Sequence, residues 1–176
     1  VQIEAVYEPH YEHYAKYFGN TLVGFFSDEP SFGNSMATRH PVDPSGHERP
    51  LGTVGMALPY NERVTAMMDE EMGEASMPYM GELWFPSDHA PVTRLAYMNA
   101  VTRLYRDNFS RRLGDWCRER GVEYIGHIIE DMNAHARLGC SAGHYFRSLD
   151  GQHMSGIDQI PGKILFQYTR DPKSGH

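Results

Sequence analysis

Gly121-Val122-Glu123-Tyr124-Ile125-Gly126-His127-Ile128-Ile129-Glu130-Asp131 decides the fold. It opens on a glycine, runs through a short and nearly continuous apolar stretch, and stops at two acids. That is the pattern of a strand buried on both faces, as in a parallel sheet. Just before it, Leu95, Met98, Val101, Leu104, Tyr105, Phe109, Leu113 and Trp116 recur with the 3.6-residue period. They predict a helix over residues 92–120, with start signals from Asp88 to Pro91 and Gly121 as its C-terminal cap. The same order stands earlier in the chain. Val6, Tyr7, Tyr11, Tyr14, Ala15 and Phe18 predict a helix that ends at Gly19-Asn20, and the apolar run Thr21-Leu22-Val23-Gly24-Phe25-Phe26 predicts a strand that stops at Ser27-Asp28-Glu29-Pro30. A weaker third instance pairs a short helix or turn at Tyr145 to Leu149 with a strand over Met154 to Ile160, with Asp158 at its tip.

Between these units, Ser31 to Pro59 is rich in Gly, Pro, Ser, Asn and His without a clear period and reads as a long loop. Loops of this length in a compact domain are usually functional. Val64, Met67, Met68 and Met72 mark a helix within Tyr60 to Met72, while Glu74 to Pro91 is irregular and contains Trp84-Phe85-Pro86. Helices alternating with apolar strands imply a parallel α/β sheet, either a (β/α) barrel or a doubly wound sheet.

Composition narrows the function. The chain has 176 residues, 40% hydrophobic and 22% charged, which suits one globular unit rather than a disordered segment. Its formal charge of −7 disfavours nucleic acid or an anionic membrane as a partner, since both require clustered Lys and Arg. The one basic cluster, Arg103, Arg106, Arg111 and Arg112, is interleaved with acids on the long helix and reads as a solvated face. Cys117 and Cys140 make no disulfide framework and read as buried thiols. No apolar run approaches the roughly 18 residues of a membrane span. The N-terminus lacks the basic and apolar regions of a signal peptide. Neither a cytoplasmic nor a secreted or periplasmic bacterial location is selected.

In parallel α/β folds, ligands bind at the carboxyl ends of the strands. That rule selects Asp28-Glu29 and Glu130-Asp131, each following a predicted strand. Cleavage of a glycosidic bond commonly needs two carboxyl groups flanking the scissile oxygen, and two acidic pairs in matching positions suit that demand. Such an acid can equally cap a helix or hold an arginine. Neighbouring residues of a strand point to opposite faces, so one member of each pair is expected to face the site. Phe26, Phe32, Trp84, Phe85, Tyr145 and Phe146 supply aromatic surface near strand ends or loops, for sugar rings or for ordinary packing. His127, His135, His144 and His153 have uneven spacing and form no zinc-helix motif. Glycine-rich nucleotide loops and a nucleophile elbow are missing from the sequence.

The blocks Gly24-Phe25-Phe26-Ser27-Asp28-Glu29-Pro30 and Gly121 to Asp131 resemble the catalytic barrel of large bacterial glycoside hydrolases of the alpha-L-rhamnosidase type. Gly143-His144-Tyr145-Phe146-Arg147 and Gly151 through Asp158 extend the likeness, which covers about Tyr7 to Gly162. The resemblance implies a carboxylate-driven hydrolase acting on side chains of plant or microbial polysaccharides. The glutamates of its Asp-Glu-Pro and Gly-His-x-x-Glu blocks map to Glu29 and Glu130. It further implies single-displacement inversion and a calcium ion that engages sugar hydroxyls.

The reading is therefore a partial (β/α)8 TIM-type barrel with parallel strands and long βα loops, residues 1–176 forming one incomplete segment of a catalytic domain. A complete barrel takes about 250 residues, and this chain holds roughly three of its eight units. Other domains of a longer parent chain, or self-association of the fragment, would have to cover the strand edges. Glu29 and Glu130 are the expected catalytic pair. Asp28, His127, Asp131, His144, Asp158 and Trp84 are expected to bind substrate, with calcium as the conceivable ion. Two other readings stand beside it: a non-catalytic carbohydrate-binding or scaffold module, and a metal-dependent hydrolase built on the His and Asp residues.

Overall fold

The computed structural model describes residues 1–30, 32, 51–52, 54–128 and 142–156. They form a mixed helix and sheet structure whose strands are all parallel. A π-helical turn at Ile3–Tyr7 leads into α1 (Glu8–Tyr14) and a 3-10 turn at Ala15–Tyr17, followed by β1 (Gly24–Ser27). Next come α2 (Glu62–Met72), a 3-10 segment at Met77–Leu83, and α3 (Ala90–Tyr105). A π-helical turn, Arg106–Ser110, joins α3 to α4 (Arg111–Glu119). The chain ends, as described, with β2 (Glu123–Gly126), α5 (Tyr145–Leu149) and the two-residue β3 (Met154–Ser155). The sheet order is β1-β2-β3, so the two helix-then-strand units predicted from sequence lie side by side.

Local chemistry explains the boundaries. Asn61 caps α2 by accepting the Val64 amide at 3.1 Å, so the helix starts just after the expected Tyr60. The start of α3 is held by Ser87 rather than by Asp88: its hydroxyl accepts the Ala90 amide at 3.0 Å, and Pro91 occupies the first turn. Ser87 in turn donates to Glu82 at 2.6 Å. The Glu82 carboxylate also accepts from Thr93 and lies 3.0 Å from His89 Nδ1, which locks the 3-10 segment onto the helix start. These hydrogen bonds, chiefly those from Ser87 and Thr93, pull the Glu82 carboxyl from its ordinary 4.5 down to about 2.

The core has two parts joined by the continuous α3–α4 helix. Val64, Met68, Leu83, Tyr97 and Val101 pack α2, the 3-10 segment and α3 together, and Trp84 lies against them. On the sheet side, Tyr7, Leu113, Trp116, Cys117, Val122 and Tyr124 are buried, with Phe25 and Phe109 against them. Tyr7 is 4.5 Å from Phe25 and meets Trp116 edge-on at 5.2 Å, measured between ring centroids. Burial here pushes the Cys117 thiol up to about 11, and Cys117 is the buried thiol expected from sequence. Cys140 lies outside the described residues.

One expectation changes. The strands were predicted to be buried on both faces, yet the helices cover only the face carrying Phe25 and Tyr124. Phe26, Ile125 and Met154 occupy one register row across all three strands. On that row Phe26 and Met154 are each 61% exposed, because no described element lies over it. Closure into a barrel is thus not part of what these residues form. The strand predictions also shorten, to Gly24–Ser27, Glu123–Gly126 and Met154–Ser155. The predicted 31–59 loop falls almost wholly outside the described residues.

The third unit is clamped by a close backbone approach. A Cβ at Gly114 would sit 1.9 Å from the Gly151 carbonyl oxygen, so α4 and the turn before β3 meet only because Gly114 has no side chain. Ser110 donates to the Ser148 carbonyl at 2.5 Å beside it. His153 then takes both backbone polar groups of Tyr124: its amide donates to the Tyr124 carbonyl, and its Nδ1 accepts the Tyr124 amide, each at 2.8 Å.

Two outcomes follow for stability. In an exposed helix, Gly→Ala stabilises by about 1 kcal/mol, but the Gly151 clash reverses the sign at Gly114. Gly114→Ala should lower urea-measured stability by roughly 1–3 kcal/mol, the cost of forced backbone shifts; an unchanged midpoint contradicts this packing. Because the Glu82 pKa is lowered by folding, its contribution is full above pH 4.5 and is lost as pH falls toward about 2. A Glu82→Gln variant should therefore show a flatter fall of Tm across that window than the parent.

Candidate functional site

The carboxyl ends of the strands meet at one edge. In parallel register Ser27 is the partner of Gly126, so the residues after each strand leave the sheet as neighbours. Gly126 permits this closeness: a Cβ there would lie 2.3 Å from the Ser27 carbonyl oxygen. The β3 end joins them through the Gly156 amide, which donates to the Gly126 carbonyl at 2.7 Å.

The first consequence is contact between two of the predicted site residues. His127 Nε2 lies 3.1 Å from the Asp28 carboxylate, and His127 Nδ1 lies 3.4 Å from the Ile128 carbonyl. The ring is 8% exposed at its side chain, whereas Asp28 is 75% exposed. A buried imidazole thus fixes a carboxylate that still faces solvent. The Phe26 ring stands 5.8 Å from the His127 ring and is itself open to solvent, so an apolar surface adjoins the polar pair.

Glu29 is set apart by its backbone. At φ 43° it is the only non-glycine among the described residues with positive φ. This left-handed conformation costs a side-chain-bearing residue roughly 1–2 kcal/mol. Glu29 is half-buried, whereas its neighbour Asp28 is exposed. The turn that follows is tied to the helix layer, because Tyr105 Oη donates to the Pro30 carbonyl at 2.9 Å. One such bond contributes about 1 kcal/mol net, comparable with the strain it faces.

Other predicted site residues are placed differently. His144 caps α5, its Nδ1 accepting the Arg147 amide at 3.2 Å, so one ring nitrogen is committed to the helix start. Trp84 packs on the α2/α3 core, and its indole nitrogen donates to the Met56 carbonyl at 2.6 Å. The structure gives that ring a packing and loop-holding role. Glu130, Asp131 and Asp158 lie outside the described residues, as does His135. Tyr105, which reaches the Asp28-Glu29-Pro30 turn from the helix layer, was legible in sequence only as one apolar position of a periodic helix.

Calcium takes six to eight oxygen ligands. Among the described residues no group of three His, Cys, Asp or Glu side chains is arranged to hold a metal ion. Asp28 with His127 supplies one carboxylate and one imidazole nitrogen, short of that oxygen set on their own. No helix among them is long and apolar enough to cross a membrane.

Comparison with protein-family models, with curated proteins and with solved structures returned no match to this chain.

The Asp28–His127 pair has an asymmetric energetic signature. Asp28 is open to solvent and an amide oxygen in its place can still accept from His127, so Asp28→Asn should change urea stability by no more than about 1 kcal/mol. His127→Ala removes a buried ring and should cost more, about 2 kcal/mol. Equal losses would contradict the burial difference.

Proposed function

We propose that this chain is a segment of a glycoside hydrolase catalytic barrel of the alpha-L-rhamnosidase type, with Glu29 and Glu130 as its carboxylate pair. The observation that carries the reading is the register of Ser27 with Gly126 and the resulting Asp28–His127 contact. Adjacent strands run about 4.8 Å apart. Glu29 and Glu130 each follow one of these neighbouring strand ends within a few residues. Carboxyl separations in glycosidases are about 5–5.5 Å for retaining and 6.5–9.5 Å for inverting enzymes, a range that side chains issuing from neighbouring strand ends can span.

The open row of Phe26, Ile125 and Met154 supports the barrel part of the proposal. In a (β/α) barrel the face away from the helices is the interior, filled by layers of side chains from successive strands. Three parallel strands covered by helices on one face only, with apolar side chains on the other, are what a section of such a wall presents.

The chemistry needs only these groups. One glutamic acid protonates the glycosidic oxygen as the bond from the anomeric carbon to that oxygen breaks. For inversion the other glutamate takes a proton from water, whose oxygen forms the new bond to the anomeric carbon. The acid is whichever carboxyl lies in the more apolar pocket, where the neutral form is favoured. Asp28, oriented by His127, accepts hydrogen bonds from sugar hydroxyls, and Phe26 offers its ring to an apolar sugar face.

A second reading rests on the same exposed Phe26 beside Asp28 and His127: a module that binds carbohydrate without cleaving it. The two separate in one experiment, hydrolysis of an aryl glycoside panel that includes alpha-L-rhamnoside by the full-length protein carrying this chain. Glu29→Gln and Glu130→Gln should each reduce kcat by at least about a hundredfold, since general acid and base catalysis typically contributes 10²–10⁴. Sugar binding without cleavage, unaffected by either substitution, would instead favour the binding module.

A further inference from the structure

We infer that Tyr105 is a positioning residue for Glu29, holding the Asp28-Glu29-Pro30 turn through its hydrogen bond to the Pro30 carbonyl; this rests on the catalytic reading of Glu29. Three observations converge on it. The bond, 2.9 Å from Tyr105 Oη to the Pro30 oxygen, connects positions far apart in sequence and acts on the residue directly after Glu29. Glu29 alone among the described non-glycine residues has a positive φ, so its turn relaxes unless something beyond local preference holds it. Tyr105 also stands where helical geometry changes, as the last residue of α3 before the π-helical turn Arg106–Ser110. Such single π turns inside α-helices are frequent at functional sites.

The Tyr105 ring is itself fixed on two sides. Phe32, on the far side of Pro30, meets it edge-on at 5.6 Å, and Phe109 lies against it at 5.3 Å between centroids. Phe109 continues to Tyr124 of β2 at 6.5 Å. An aromatic line therefore runs from the turn after β1, through the helix, to the neighbouring strand. Burial, with Tyr124 nearby, raises the Tyr105 hydroxyl above the ordinary phenol range, so it remains a donor wherever the protein is folded near neutral pH.

The same helix contains a matched control. Tyr97 Oη donates to the Pro59 carbonyl at 2.8 Å, a buried tyrosine-to-proline bond of the same kind, but in the α2/α3 core. Removing either hydroxyl deletes one oxygen atom and one hydrogen bond, and only Tyr105 acts on the Glu29 turn.

The experiment compares Tyr105→Phe, Tyr97→Phe and Glu29→Gln in the full-length protein, on a glycoside that the parent cleaves. Read-outs are kcat, KM, the pH–rate profile and Tm. Misplacement of a reacting group by about 1 Å can cost on the order of a hundredfold in rate. Tyr105→Phe should lower kcat at least about tenfold with KM within about twofold, and should shift one limb of the pH profile. Tyr97→Phe should lower Tm comparably and leave kcat and the profile unchanged. If the two tyrosine variants have equal kcat while Glu29→Gln is inactive, Tyr105 is not a positioning residue and the catalytic reading stands. If Glu29→Gln retains full rate, or the protein cleaves no glycoside, the catalytic reading falls and takes the inference with it. A Tyr105→Phe chain that does not fold overturns the inference as well, because the hydroxyl then serves global stability.

Discussion

Burial of Phe25 and Tyr124 against Tyr7 and Trp116 is the constraint from which the arrangement of the strand ends follows. Side chains alternate between faces along a strand, so placing Phe25 and Tyr124 toward the helices sends Phe26 and Ile125 to the other face. A slip of one residue in β2 would exchange its two sets and expose Tyr124 in place of Ile125 or Glu123. Fully burying one such ring is worth about 1.5–3 kcal/mol, enough to select one register over its neighbours. With that register fixed, Ser27 pairs with Gly126, and Asp28 and His127 must emerge side by side. The site's first contact is thus a by-product of aromatic packing on the far side of the sheet.

Polar groups hold the remaining pieces in place, and they do so by committing side chains that sequence reading treats as free. Glu82 collects hydroxyls from Ser87 and Thr93 to seat the long helix. His153 supplies Nδ1 to a strand amide of Tyr124, substituting for a backbone carbonyl at the edge of a very short β3. His144 caps α5. Each is a titratable residue whose visible work is architectural. Asp28 differs, since its carboxylate is exposed while its partner His127 is buried.

Helix positions were legible because their signal is long. The series from Leu95 to Trp116 carries several turns of one period, and Gly121 marks its end. What periodicity could not convey is the π-helical turn at Arg106–Ser110, since one wide turn shifts the phase by less than the width of the apolar face. The parallel direction of the strands was also legible, from the repeated order of helix and apolar run. Double-sided burial was not, because an apolar run states what a strand can bury and not what is present to cover it. Phe26 shows the difference at 61% exposure. Trp84 stood in sequence among aromatics near strand ends or loops, for sugar rings or for ordinary packing; its ring lies against the helical core and its indole N–H donates to the Met56 carbonyl. Glu130, the second carboxylate of the proposed pair, lies outside the described residues, so its place rests on its position two residues after Ile128.

The account depends on two carboxylates sharing one sugar. The most direct test is a crystal structure of the full-length protein with a bound monosaccharide, measuring the separation of the Glu29 and Glu130 carboxyl groups. The account predicts a separation between about 5 and 9.5 Å with the sugar ring between them, the upper part of that range corresponding to inversion. Carboxyl groups separated by well over about 10 Å, or a sugar seated away from Asp28 and His127, would contradict it.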